Sequence, residues 1–228
     1  MRFAIAHALE PVSYFLSGIF LAYYAGRDKR IRIKVLSSYH ILAALLMVEA
    51  SIEAANGASN IGIYNITCLL TSVVIGFYFY ATLISRIKKA AIIFICLLNA
   101  GYYVVNNLIF PGRAIFDSTA YVLLSSGIVI MAFMYMHQVL THVTEERLSM
   151  NFDFWFICSQ LVYFLGAFAI FLTYDYLTQK ILEGLYSWED RVLLTHLWAV
   201  HNILLFLSSI ITSSGILWIA YRRKSPSL

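Results

Sequence analysis

The sequence predicts an all-α polytopic membrane protein, a bundle of seven transmembrane helices with its N-terminus outside and its C-terminus cytoplasmic. Three observations predict it. The 228 residues are 61% apolar and only 12% charged, whereas soluble domains carry about 25% charged residues. Seven apolar segments are each long enough to cross ~30 Å of hydrocarbon, which takes about 20 residues. Basic residues fall in alternate loops, twelve of the sixteen on one side, and the positive-inside rule makes that side cytoplasmic. Residues 1–228 are expected to form a single seven-helix membrane domain with no soluble domain, in the cytoplasmic (inner) membrane, with the lipid bilayer as its first partner. The net charge of +4 comes from short clusters between apolar runs and does not indicate a nucleic-acid partner.

The elements follow in order. The first segment, residues 4–25, is preceded by a single basic residue and interrupted by Glu10 and Pro11. No small-residue cleavage site follows it, so a retained helix is expected rather than a cleaved signal peptide. Arg27, Lys29, Arg30, Arg32 and Lys34 lead into the second, 33–55. A polar turn at 56–60 opens the third, 61–84, and Arg86, Lys88 and Lys89 precede the fourth, 90–110, which Pro111-Gly112-Arg113 stops. The fifth covers 119–140. A link containing Thr144-Glu145-Glu146-Arg147 joins it to the sixth, 152–177. The stretch 178–190 is expected to lie across the outer mouth as a short interfacial helix, because Leu185, Tyr186 and Trp188 suit the membrane boundary. The seventh, 192–221, is long enough to tilt or project, and Arg222, Arg223 and Lys224 follow it.

Polar side chains inside these segments point to a site, because ionisable groups in hydrocarbon are expensive unless paired. His7 and Glu10 share one face of the first helix by their i, i+3 spacing. Pro11 leaves the His7 carbonyl without its helical donor. Glu49 and Glu53 share a face of the second helix and repel each other unless a proton, cation or basic partner intervenes. Tyr64 and Asn65 open the third helix. The fourth carries Asn99, Asn106 and Asn107, and the sixth Gln160 and Asp175. In the seventh, His196 lies about 7 Å and His201 about 15 Å inside its start, at 1.5 Å per residue. Their five-residue spacing turns the two rings about 140° apart. Helices one, two and seven are expected to be neighbours. They would then bring His7, Glu10, Glu49, Glu53, His196, His201 and Asn202 into one outward-facing layer, with Trp198, Tyr64 and Asn65 on its walls.

Several chemistries lack their residues. No lysine falls in a helix core, so a retinal Schiff base has no attachment point. No attachment motif favours a haem between His40 and His137; His142 sits near the end of the fifth helix. His-Glu-x-x-His and Gly-x-Ser-x-Gly are absent. The last helix departs from the His-x-x-x-His pair of the seven-helix hydrolases that resemble adiponectin receptors. No cofactor is predicted. Glu10, Glu49 and His201 keep a divalent metal open, since carboxylate and imidazole are suitable ligands. Cys68, Cys96 and Cys158 lie in apolar runs without a Cys-x-x-Cys pair and read as packing residues.

Tyr64-Asn65, Phe154-Trp155-Phe156 with Tyr163-Phe164-Leu165-Gly166, and Leu197-Trp198-Ala199-Val200-His201-Asn202-Ile203 together resemble a family of small bacterial seven-transmembrane-helix proteins of largely uncharacterised activity. That family is similar to the membrane sensor modules of histidine-kinase systems. The resemblance spans roughly residues 60 to 221. It implies sensing and signal transduction, with a cytoplasmic partner such as a histidine kinase, and supplies no ligand. The expected function is a non-enzymatic receptor that binds a small ligand, cation or proton in an outward-facing polar pocket. A metal-dependent intramembrane hydrolase and a proton- or cation-coupled transporter are the alternatives. A transporter is expected to show internal repeats or broken helices, and apart from Pro11 the sequence has neither.

Overall fold

A computed structural model describes residues 2–106, 116–141, 148–185 and 187–224, with residues 2–7, 182 and 224 described by their backbone alone. Seven α-helices make up the described chain: α1 (Arg2–Ala25), α2 (Ile31–Ala55), α3 (Ile61–Thr82), α4 (Arg86–Val104), α5 (Ser118–Thr141), α6 (Phe152–Leu182) and α7 (Trp188–Lys224). Among the described residues, the six helices α2 to α7 are long and apolar enough to cross a membrane. The chain is a multi-pass membrane protein.

Six helices close a ring in the order α1, α2, α3, α5, α6, α7, and α7 packs back on α1. The fourth stands outside it. α4 touches α3 and α5 and buries only Ile92. Two glycines make its seat. A β-carbon on Gly76 of α3 would collide with the sulfur of Cys96, and one on Gly127 of α5 would collide with Ile95. Small residues let helix backbones approach where no water drives association. The rest of α4 presents Phe94, Leu97 and Leu98 outward, as a lipid-facing helix does.

The basic loops gather at one end of the ring. There Asp153, in the first turn of α6, accepts from Arg30 Nη1 at 3.1 Å, Arg32 Nη2 at 2.7 Å and the Tyr78 hydroxyl. Arg30 also grips Asp28 at 2.7 Å. The cluster ties the α1–α2 loop, α2, α3 and α6 together.

At the other end the turns follow from glycine. α2 ends in a Schellman motif: Ala58 N–H donates to Glu53 O at 2.9 Å and Gly57 N–H to Ala54 O at 3.1 Å. Gly57 sits at φ 73°, the left-handed conformation this motif requires. α6 ends the same way around Gly184, also at φ 73°, with Leu185 N–H on Lys180 O at 3.0 Å.

The interfacial helix expected over 178–190 is not present. α6 runs on to Leu182, five residues past its expected end, and α7 begins at Trp188. A capping box starts α7: Ser187 N–H donates to Asp190 Oδ2 at 2.9 Å, and Asp190 N–H to Ser187 Oγ at 3.3 Å. Lys180 of α6 reaches Asp190 at 3.1 Å, so the extra turn of α6 is held by an ion pair. The break between α3 and α4 also moves. α4 starts at Arg86, and Ile84 N–H is taken by the Gln138 side chain at 2.8 Å. The expected stop at Pro111-Gly112-Arg113, the link at 144–147 and His142 lie outside the described residues.

Candidate ligand-binding cavity

α1 lies between α2 and α7 and packs on both. This brings Glu10, one residue before Pro11, which α1 accommodates without a break, into the ring interior, where it is 6% exposed. α3 faces it across the ring. The Tyr64 hydroxyl donates to Glu10 Oε2 at 2.9 Å, and Tyr121 of α5 holds the Tyr64 carbonyl at 2.8 Å. Above the carboxylate a cavity of about 610 Å³ opens at the end opposite the basic loops. Its lining is Glu10, Tyr64, Phe116, Tyr174 and Trp198, with Ser51, Ala54 and Ala55 of α2, Asn60 and Ile61, and Arg191, Leu194 and Thr195 of α7.

Three of the aromatic rings stand at right angles to one another. Tyr64 and Trp198 meet at 84° with centroids 5.3 Å apart, Phe116 and Trp198 at 89° and 5.8 Å, and Tyr64 and Phe116 at 82° and 6.2 Å. Edge-to-face contact is the arrangement that ring quadrupoles favour. Tyr174 closes the fourth side, its hydroxyl anchored on Leu194 O at 2.9 Å.

Below the cavity the polar lining continues. His201 is 3% exposed. It packs 5.1 Å from Trp198 and 5.0 Å from Phe171, ring to ring. Its Nε2 lies 3.3 Å from the Tyr163 hydroxyl, and its Nδ1 is buried without a hydrogen-bond partner among the described residues. Two cavities of about 20 Å³ each lie along this axis, the first between Glu10, Tyr14, Thr71 and His201, the second between Tyr39, His40, Gln160 and Ser209. Each is large enough for about one water molecule. The polar column thus runs from Glu10 into the middle of the ring, and the Tyr78–Asp153 cluster lies nearer the basic end.

The expected layer of residues is brought together in part. Glu10, Tyr64, Trp198 and His201 converge. Glu49 is exposed and Glu53 half-buried, and neither lines the cavity, whose α2 wall is Ser51, Ala54 and Ala55. Glu49 stands about 200° round the helix from Ser51, at 100° per residue, so the three carboxylates do not form one cluster. His196 is exposed and its Nδ1–H donates to the carbonyl of its own helix at Val192, 2.7 Å away. The divergence of about 140° from His201 places one ring inside and the other outside. Asn202 is fully buried in α7 and Asn65 half-buried beside Tyr64, both off the cavity lining. The side chain of His7 lies outside the described residues.

Glu10, Glu49 and His201 do not assemble as a metal-ligand set, and no group of three or more His, Cys, Asp or Glu that could hold a metal occurs among the described residues. His40 and His137 do not face a shared space. His40 is in the ring interior with Nδ1–H on Leu36 O at 2.9 Å, whereas His137 is exposed on α5, with Lys88 Nζ 3.3 Å from its Nδ1.

Asp153 and Tyr163 carry much of this polar architecture and are not evident as sequence candidates. Asp153 had a signal: it follows Asn151, whose side chain caps α6 by accepting Asp153 N–H at 2.9 Å, and it sits at the end where the arginines cluster. Tyr163 had none, because a tyrosine among many in an apolar helix reads as packing. Comparison with known proteins gives no matching family model, no matching curated protein and no matching solved structure.

Proposed function

We propose that this protein is a non-enzymatic seven-span sensor of the cytoplasmic membrane, oriented with its N-terminus outside. It takes a small ligand, cation or proton into the Glu10 cavity from the outer side and signals to a cytoplasmic partner such as a histidine kinase. The observation that carries this reading is a cavity of about 610 Å³, opening opposite the basic loops over one buried carboxylate. Its volume falls within the range of small-molecule sites, roughly 300–1,000 Å³. An occupant would touch α1, α2, α3, α6 and α7 at once, so two arrangements of the ring would bind it unequally, which is what transmission requires. α7 supplies the output. Its 37 residues extend about 55 Å at 1.5 Å each, from the cavity past the far face of a bilayer. The resemblance of residues 64–65, 154–156, 163–166 and 197–203 to a family of small bacterial seven-helix proteins, itself similar to the sensor modules of histidine-kinase systems, supports the same reading.

The test is a thermal-shift screen of the full chain in lipid nanodiscs against a chemically diverse small-molecule set. At least one compound is expected to raise the Tm, and Leu194→Trp, which fills the cavity without removing a polar group, is expected to abolish that rise. A rise that persists in Leu194→Trp, or none with any compound, would sink the reading.

A further inference from the structure

We infer that the cavity takes a small organic ammonium compound, its charged nitrogen against Glu10 and its body among Tyr64, Phe116 and Trp198. This rests on the cavity being a ligand site and names the class of ligand. Glu10 is the one acidic side chain on the lining. Among the described residues it receives a single hydrogen bond, from Tyr64, and no ion pair joins it to a basic group. A buried carboxylate of that kind is costly until a cation or further donors reach it. The walls favour the same occupant. Three rings at 82°, 84° and 89° to one another form the corner of a box, and ring faces attract ammonium groups through their quadrupole. An anion would meet the carboxylate and these faces together. Arg191 does not oppose this. It stands seven residues before Trp198, about 10 Å up the α7 axis, where it lines the mouth beside Thr195 and faces the uncharged or anionic end of a ligand.

The experiment uses the full chain in nanodiscs at neutral pH and three probes that share one body: tyramine, tyrosol and 4-hydroxyphenylacetate, which are cationic, neutral and anionic. Binding is read by thermal shift and by tryptophan fluorescence. Tyramine is expected to bind about tenfold or more tightly than either of the others, the factor a charge-assisted contact plus cation–π attraction supplies. Glu10→Gln is expected to erase that preference, and Leu194→Trp to erase binding. The wild-type contrast decides by itself if Glu10→Gln does not fold. Equal or tighter binding of tyrosol or 4-hydroxyphenylacetate overturns the ammonium assignment and leaves the cavity reading intact, as does a response confined to another chemical class in the wider screen. No response to any compound overturns both.

Discussion

Asp153 accepts hydrogen bonds from two arginines and a tyrosine that come from the α1–α2 loop, α2 and α3. Removing one partner from a buried ionic cluster leaves the other charges uncompensated and costs about 3–5 kcal/mol. Asp153→Asn is therefore expected to be far more damaging than Tyr64→Phe, which deletes one hydrogen bond and costs about 1–3 kcal/mol through the acceptor left buried. Thermal unfolding of the two variants in the same nanodiscs checks the order. Asp28, in the α1–α2 loop, gives a pH signature. Partial burial raises its pKa, but the hydrogen bonds and charge of Arg30 outweigh that and hold it below the usual carboxylate value. A depressed folded pKa means stability that is present above the unfolded value, about 4, and is lost as pH falls through the folded one. The Tm difference between the wild type and Asp28→Asn should thus be constant near neutrality and shrink progressively below about pH 4.

Helix ends and helix seats are set by single glycines. Gly184 holds a left-handed conformation at the end of α6, where any other residue costs roughly 1–2 kcal/mol. Gly184→Ala is expected to lower stability by about that amount. Gly101→Ala, inside α4 with open space around it, is expected to be neutral or to gain up to about 1 kcal/mol from helix propensity. Equal effects of the two would overturn the Schellman argument. α4 depends on Gly76 in a different way. Gly76→Val puts a side chain where the Cys96 sulfur sits, an overpacking that costs about 1–3 kcal/mol. It should raise the rate at which Cys96 reacts with N-ethylmaleimide, measured in a chain whose Cys68 and Cys158 are replaced by serine.

The ring of six helices with α4 outside places the cavity and the basic cluster at opposite ends of the molecule. With the proposed orientation, Asn60 is external and Ser85 cytoplasmic. In chains lacking the native cysteines, Asn60→Cys should label with a membrane-impermeant maleimide on intact cells, and Ser85→Cys only after permeabilisation. The opposite pattern would invert the topology and turn the cavity towards the cytoplasm. The apolar run of α1 is broken by Glu10, Ser13 and Ser17, and all three are buried. Its polar side chains face the interior of the ring, which is how polar groups are carried inside a membrane bundle.

The sequence by itself determined the helical membrane architecture, the approximate extent of the helices, the turn at 56–60 and the end at which the basic residues collect. Those features depend on composition, local periodicity and turn chemistry, which are properties of neighbouring residues. It also marked Glu10, Tyr64, Trp198 and His201 as polar or aromatic groups in costly places. Only the tertiary structure decided which of the marked residues meet. Glu49 and Glu53 carry the same sequence signal as Glu10, yet helical phase turns Glu49 to the outside and leaves Glu53 off the cavity lining. His196 and His201 part for the same reason. The peripheral place of α4 depends on contacts between different helices at Gly76 and Gly127, and the clamp at Asp153 on partners 75 to 123 positions away. Periodicity within a helix specifies which residues share a face, and the packing of the other helices specifies what that face is turned towards.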